Sequence, residues 1–308
     1  MDFRNRALGA LVGLAAGDAL GTTLEFQQPG AFTPIQDIVG GGPFSLQPGE
    51  WTDDTSMALC LAESLVEVGW DPSDQARRYV RWMRDGYLSS NGRCFDIGNT
   101  VGAALTRFEA TGEPFSGPTD AASAGNGSLM RLAPVPVYYA NDPAQAVHAC
   151  GESSRVTHGT RQAVDSCRYY GGLIVGALLG APKSVLLNRE FGLTSAVFES
   201  LDAKVQAVAT GSFAVKDPPE IQGSGYVIES LEAALWAFAG TGSFAEGALA
   251  AANLGRDADT TAAVYGQLAG AYYGLDGIPA HWRRRLSHRD LIETLAERLA
   301  AHGSGPAT

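Results

Sequence analysis

Apolar residues recur along most of this chain at intervals of three and four, the period of helices with one buried face. The first such run covers residues 4–20, where Gly9, Gly13 and Gly17 stand four apart along one side. In a water-soluble chain that stripe predicts close contact with another helix. The period then vanishes over residues 21–49, where Pro29, Pro34, Pro43, Pro48 and the Gly40-Gly41-Gly42 run predict a long loop. A loop of that length in a compact fold tends to carry function, and its place in the chain predicts a lid or rim. Met57, Leu61, Leu65 and Val68 then mark a helix that opens on Trp51-Thr52-Asp53-Asp54-Thr55-Ser56.

Further helices are predicted over residues 72–85, 98–109, 143–154, 159–179, 195–209, 227–238, 244–252, 260–273 and 280–301, with an irregular break over 121–135. Few segments alternate as strands do. The expectation is an all-α bundle of about ten helices with no sheet or a trivial one, forming a single domain over residues 1–302 followed by a frayed tail at 303–308. Gly171, Gly172, Gly176, Gly266 and Gly270 fall inside helical patterns. Each costs about 1 kcal/mol relative to Ala in an exposed helix interior, so their number predicts tight helix crossings.

Composition narrows the function classes. The chain has 308 residues, 45% hydrophobic and 18% charged, enough apolar material for one large core. Its net charge is −11, and the basic residues are scattered apart from Arg283-Arg284-Arg285, which reads as a solvated helix face. A nucleic-acid backbone is therefore not the expected partner, although a phosphate-bearing small molecule remains open, because a metal ion or backbone N–H groups can hold phosphate locally. Cys60, Cys94, Cys150 and Cys167 show no Cys-x-x-Cys spacing and read as buried thiols in a reducing compartment, which points to the cytoplasm. Arg4 and Arg6 ahead of the apolar run imitate a secretory signal, but its glycines and the early Asp18 argue against one. No segment is expected to reach the length of a membrane span, and a monomer is expected.

The candidate chemistry lies in two helix openings. Asp53 and Asp54 with Thr52 open one, and Asp257 and Asp259 with Thr260 open another about two hundred residues later. Alone, each is explained by acidic side chains meeting the positive end of a helix. Recurring together, they look like halves of one site. If the four carboxylates meet, their repulsion costs several kcal/mol unless cations balance it, and two divalent ions would do so. Carboxylate and hydroxyl ligands without His or Cys favour Mg²⁺, with Mn²⁺ next.

Gly17-Asp18-Ala19-Leu20-Gly21 with Glu25-Phe26, Trp51-Thr52-Asp53-Asp54-Thr55, Phe95-Asp96-Ile97-Gly98-Asn99, Gly125-Asn126-Gly127-Ser128-Leu129-Met130-Arg131, Thr157-His158, Gly225-Tyr226-Val227 and Gly255-Arg256-Asp257-Ala258-Asp259-Thr260-Thr261 together resemble the ADP-ribosylglycohydrolase family. The likeness is strongest to its bacterial dinitrogen-reductase-activating branch, and it runs in order from about residue 5 to about residue 275. It implies a compact orthogonal helical bundle with a central cleft, two Mg²⁺ or Mn²⁺ ions, and hydrolysis of the bond joining ADP-ribose to a protein side chain. By that resemblance Thr52, Asp53, Asp54, Asp257, Asp259 and Thr260 match the metal ligands. Glu25 matches an acid beside the metals, and Asp96 a proton acceptor of the arginine-specific branch. Asn99, Gly127, Ser128, Met130, His158 and Tyr226 fall where the family contacts ADP-ribose.

Plainer readings stand beside these. Asp96 could cap the helix that follows it, residues 125–128 could be only a turn, His158 a structural histidine and Tyr226 a packing residue. The expected function is a metal-dependent hydrolase releasing ADP-ribose from modified proteins, arginine-linked ADP-ribose being favoured by the Phe95–Asn99 motif. Serine-linked ADP-ribose, O-acetyl-ADP-ribose and poly(ADP-ribose) are alternatives, as are a binding module without turnover and a phosphatase-like binuclear hydrolase.

Overall fold

A computed structural model of the chain describes residues 1–305. Residues 306–308, half of the predicted 303–308 tail, lie outside the described residues, and Gly303 belongs to the last helix. The helices, in chain order, are α1 (Phe3–Gly21), α2 (Asp53–Val68), α3 (Pro72–Asp85), α4 (Asn99–Thr111), α5 (Pro134–Tyr138), α6 (Pro143–Arg155), α7 (Arg161–Leu178), α8 (Lys183–Leu186), α9 (Gly192–Phe198), α10 (Ala203–Ala209), α11 (Val227–Gly240), α12 (Phe244–Ala252), α13 (Ala258–Tyr273), α14 (Ala280–Arg285) and α15 (Arg289–Gly303). Among the described residues there is no strand. Two isolated bridges, Gly41 with Leu46 and Gly125 with Tyr226, are the only β pairing there.

The bundle is built around α1, buried without interruption from Ala7 to Gly21. The stretch Phe3–Leu24 is long and apolar enough to cross a membrane, contrary to expectation, but 94% of its apolar window is covered by the rest of the fold. A helix that is apolar all round belongs in a core.

The glycine stripe has the predicted use. Gly9, Gly13, Gly17 and Gly21 face the backbone of Gly270, Gly266, Ala262 and Ala258, so α1 and α13 run antiparallel with their backbones in contact. A Cβ at any of the four would fall on the facing carbonyl oxygen. Gly17→Ala is therefore expected to destabilise the protein by about 1–3 kcal/mol, the usual range for an overpacked core. Urea unfolding would measure it, and an unchanged midpoint would contradict this packing.

The same helix fixes α2. Asp18, fully buried on α1, accepts hydrogen bonds from the backbone N–H groups of Thr52 and Thr55 at 2.9 and 3.0 Å, and from their hydroxyls at 3.0 and 2.6 Å. Those N–H groups belong to the unpaired set at a helix start. One helix thus carries the beginnings of both α2 and α13.

Two predicted helices are divided. Residues 195–209 break between α9 and α10, where Asp202 donates its N–H to Asp165 and its side chain accepts from Lys204 N–H. That local capping competes with a continuous helix. Residues 280–301 break between α14 and α15. There Ser287 donates its N–H to the Gly49 carbonyl, its carbonyl accepts from Trp51 Nε1, and His288 takes φ +52°. The long loop claims backbone groups that a single helix would have paired internally.

Candidate active site

Neither acidic opening caps its own helix. Thr52 and Asp257 occupy the N-cap positions of α2 and α13, and neither side chain accepts a capping hydrogen bond. The acids lie in the first turns of both helices without capping them, and at α2 Asp18 already pairs the N–H groups of the helix start. Instead the openings touch: Thr52 Oγ1 lies 3.2 Å from both Asp54 Oδ2 and Asp259 Oδ2, and Thr260 Oγ1 lies 3.3 Å from Asp54 Oδ2.

Carboxylate atoms of Glu25, Asp96 and Asp259 gather within 4.8 Å of one another beside this contact. Glu25 Oε2, Asp54 Oδ1 and Asp259 Oδ1 are buried without a hydrogen-bond partner. Burial first, then neighbouring carboxylates, pushes the Glu25 carboxyl up to about 10 and that of Asp96 up to about 7. Asp53, Asp54 and Asp259 are driven well above the carboxylate range by the same causes. Burial also raises Asp257, opposed by hydrogen bonds from Asn126 and Thr260.

Partnerless buried carboxylate oxygens crowded against one another are what hard divalent cations coordinate, so the residues present fit such ions. A pH dependence follows. An acid whose pKa is raised by folding favours the fold while protonated, and that stability is lost as pH rises through the folded value. In a chelator, the melting temperature should therefore fall from about pH 5 to about pH 8, spanning the range in which Asp96 ionises near 7. Saturating Mg²⁺ should flatten the slope. A melting temperature that rises with pH in chelator would contradict the cluster.

Above the carboxylates opens a cleft of about 600 Å³. Asp53, Asp257, Thr260, Glu25 and Asp96 line its acidic part, and Asn99, Gly127, Met130, His158 and Tyr226 the remainder. Thr52, Asp54 and Asp259 lie beneath this surface. Ser128 does not reach it by its side chain, because its hydroxyl sits 2.8 Å from Ser154 Oγ and 3.6 Å from Cys167 Sγ in the interior.

Local backbone choices aim the acids. Asp96 takes φ +60°, and the N-cap of α4 is Gly98, so Asp96 is not its cap. The Phe95 ring packs 5.1 Å from that of Phe44, joining this turn to the long loop as a rim. Phe26 and Arg256 take φ +61° and +58°, a conformation that costs roughly 1–2 kcal/mol for such residues. Two backbone hydrogen bonds hold them there, Phe26 N to Arg256 O at 2.5 Å and Arg256 N to Gln27 O at 2.7 Å. Glu25 and Asp257, each adjacent to one of them, are thereby held facing the same cleft.

Two positioning residues had no role assigned from the sequence. Asp18 carried a signal, as the one acid inside an otherwise apolar helix. Asn126 donates from Nδ2 to Asp257 Oδ2 at 2.6 Å and from its backbone to Gly225 O, tying the glycine loop to the second acidic opening. Tyr226 donates to Gln162 Oε1 at 2.8 Å and accepts from Lys204 at 3.0 Å, which sets its ring as one wall.

Comparisons with known proteins place the chain as a whole. The chain is 44% identical over 296 residues to the "ADP-ribosylarginine hydrolase Tri1" of Serratia proteamaculans, covering 96% of this chain and 79% of that one. It is 32% identical over 287 residues to the "ADP-ribosyl-[dinitrogen reductase] glycohydrolase" of Rhodospirillum rubrum, covering 92% and 90%. A solved chain described as part of an "ADP-ribosylglycohydrolase-related protein complex" superposes with a TM-score of 0.87 at 45% identity, covering 98% of this chain and 99% of that one. The family model for ADP-ribosylglycohydrolase matches residues 1–307, and the chain belongs to that family.

Proposed function

We infer that this protein removes ADP-ribose from arginine side chains of modified proteins, and that it needs Mg²⁺ or Mn²⁺ to do so. The observation that carries the reading is the meeting of the two acidic openings at the floor of the cleft, with Asp96 on its wall. The names of the 44%-identical relatives favour arginine as the linked residue. Four free thiols, three of them buried, favour a reducing, cytoplasmic setting.

Cleaving an N-glycosidic bond builds oxocarbenium character at the anomeric carbon, so the site must hold the ribose and accept a proton from the attacking water. Two divalent cations held by Thr52, Asp53, Asp54, Asp257, Asp259 and Thr260 would supply positive charge at that end of the cleft and polarise oxygen there. Asp96 is the proton acceptor, a carboxylate on the cleft wall beside the acidic openings. Glu25 lies beside Asp96 in the carboxylate cluster, within reach of the same proton and the same cations. Asn99 and Tyr226 bound the cleft around the ligand, and the glycines at 125 and 127 let backbone approach it closely.

The test is a panel of arginine-, serine- and acetyl-linked ADP-ribose substrates, each with Mg²⁺, Mn²⁺ or chelator. Release from arginine alone, lost in chelator, is expected. Release from serine linkages only, or activity indifferent to chelator, would overturn the reading.

A further inference from the structure

Beneath the cleft wall sits a buried positive charge that the reaction as described does not use. Arg131 has none of its surface exposed. Its guanidinium donates to the Gly127 carbonyl at 3.0 Å and to Thr157 Oγ1 at 2.7 Å, lies 3.8 Å from the Met57 sulfur, and sits 4.5 Å from the centre of the Tyr79 ring. None of these partners is a carboxylate, and its Nε has no partner at all. Burying a charge in that way is expensive unless another charge joins it.

Thr157 passes the arrangement on. Its Oγ1 is also 2.9 Å from Nδ1 of His158. A guanidinium N–H can only donate, so Oγ1 accepts from Arg131 and has its own proton free for Nδ1. Were Nδ1 protonated instead, the hydroxyl would accept twice and its buried proton would lack an acceptor. His158 is therefore the Nε2–H tautomer. Burial, then the charge on Arg131, holds the imidazole down to about 3, so it stays neutral at ordinary pH. The Nε2 edge faces Gly125 and Gly127: a Cβ at those positions would come within 3.2 Å of Nε2 and 2.8 Å of Cε1 respectively. Only glycine leaves that edge open to the cleft.

The lining of the cleft includes neither Lys nor Arg. An ADP-ribose diphosphate brought into it would meet a net-acidic protein with its counter-charge one layer deeper. We propose that Arg131 and Thr157 form a positioning relay that fixes His158 as an Nε2–H donor to a diphosphate oxygen of ADP-ribose, the Arg131 guanidinium acting as the buried counter-charge. This rests on reading the cleft as an ADP-ribose site. In a low-dielectric wall such a charge acts across one intervening layer far more strongly than it would through water.

NMR of ¹⁵N-histidine-labelled protein, with His158→Gln used to assign the resonance, reads the tautomer directly. Without ligand, His158 should be Nε2–H from about pH 5 to about pH 8, and ADP-ribose should shift that N–H. Thr157→Val should lose the single tautomer and weaken ADP-ribose binding about tenfold, the loss appearing in KM rather than kcat, while Thr157→Ser keeps both. An Nδ1–H tautomer in the wild-type protein, ADP-ribose binding without a shift at Nε2–H, or Thr157→Val binding as the wild type does would each overturn the relay. The ligand-free tautomer decides the relay even if Thr157→Val does not fold. Wild-type protein that binds no ADP-ribose would overturn the functional reading and the diphosphate assignment with it, an outcome separate from a wrong tautomer.

Discussion

Asp259→Asn is expected to lower hydrolysis about a thousandfold or more, roughly 4 kcal/mol of barrier, and at the same time to raise the melting temperature of the metal-free protein. Both effects come from the position of one side chain. Asp259 Oδ2 touches Thr52, its Oδ1 has no partner, and its carboxylate belongs to the cluster with Glu25 and Asp96. If Asp259 is the metal ligand proposed, removing its charge takes a ligand from the centre of the site, and cations would bind poorly. The substitution also removes a buried acid and the repulsion that Glu25, Asp54, Asp96 and Asp257 exert on it when no cation balances them. A residue retained for catalysis at the expense of stability behaves in this way. Activity and the melting temperature in chelator, measured on one preparation, separate this from ordinary damage. A variant both inactive and less stable without metal would assign Asp259 a structural part, and one that still turns over at saturating Mg²⁺ would remove it from the site.

Asp96→Asn should act differently. The amide keeps the shape and the turn at φ +60°, which Asn also tolerates, but cannot take a proton from water. The expected loss is about 10²–10⁴-fold in kcat, the usual contribution of a general base, with ADP-ribose affinity held within about threefold. Equal losses in turnover and affinity would make Asp96 a binding residue instead. Asp257 offers the contrast, since its carboxylate is braced by Asn126 and its loss should disturb binding and turnover together.

Much of this arrangement was legible in the residues themselves. The four-residue spacing of Gly9, Gly13 and Gly17 announces a close helix contact, and α13 supplies the partner through Gly266 and Gly270. The paired openings at Asp53-Asp54 and Asp257-Asp259 announce a shared site, and Thr52 bridges Asp54 and Asp259. What periodicity misses is long-range competition for backbone groups. Residues 280–301 carry an unbroken helical pattern, yet Ser287 donates its N–H to the Gly49 carbonyl and its carbonyl accepts from Trp51 Nε1, which ends the helix there. Nor does a motif reveal which way a side chain points. Gly127 and Ser128 are neighbours in one motif, but the Ser128 hydroxyl turns inward to Ser154 while Gly127 lines the cleft. Asp18 and Arg131 lie in the quoted motifs as well, and their work is visible only once the partners Thr52, Thr55, Thr157 and His158 are brought to them.

The most direct test is a crystal grown with Mn²⁺, with data collected near the manganese absorption edge. Two anomalous peaks are expected among Thr52, Asp53, Asp54, Asp257, Asp259 and Thr260, each peak ligated from both the α2 and the α13 openings. Peaks lying elsewhere, or no peak at saturating Mn²⁺, would contradict a single site assembled from the two ends of the chain.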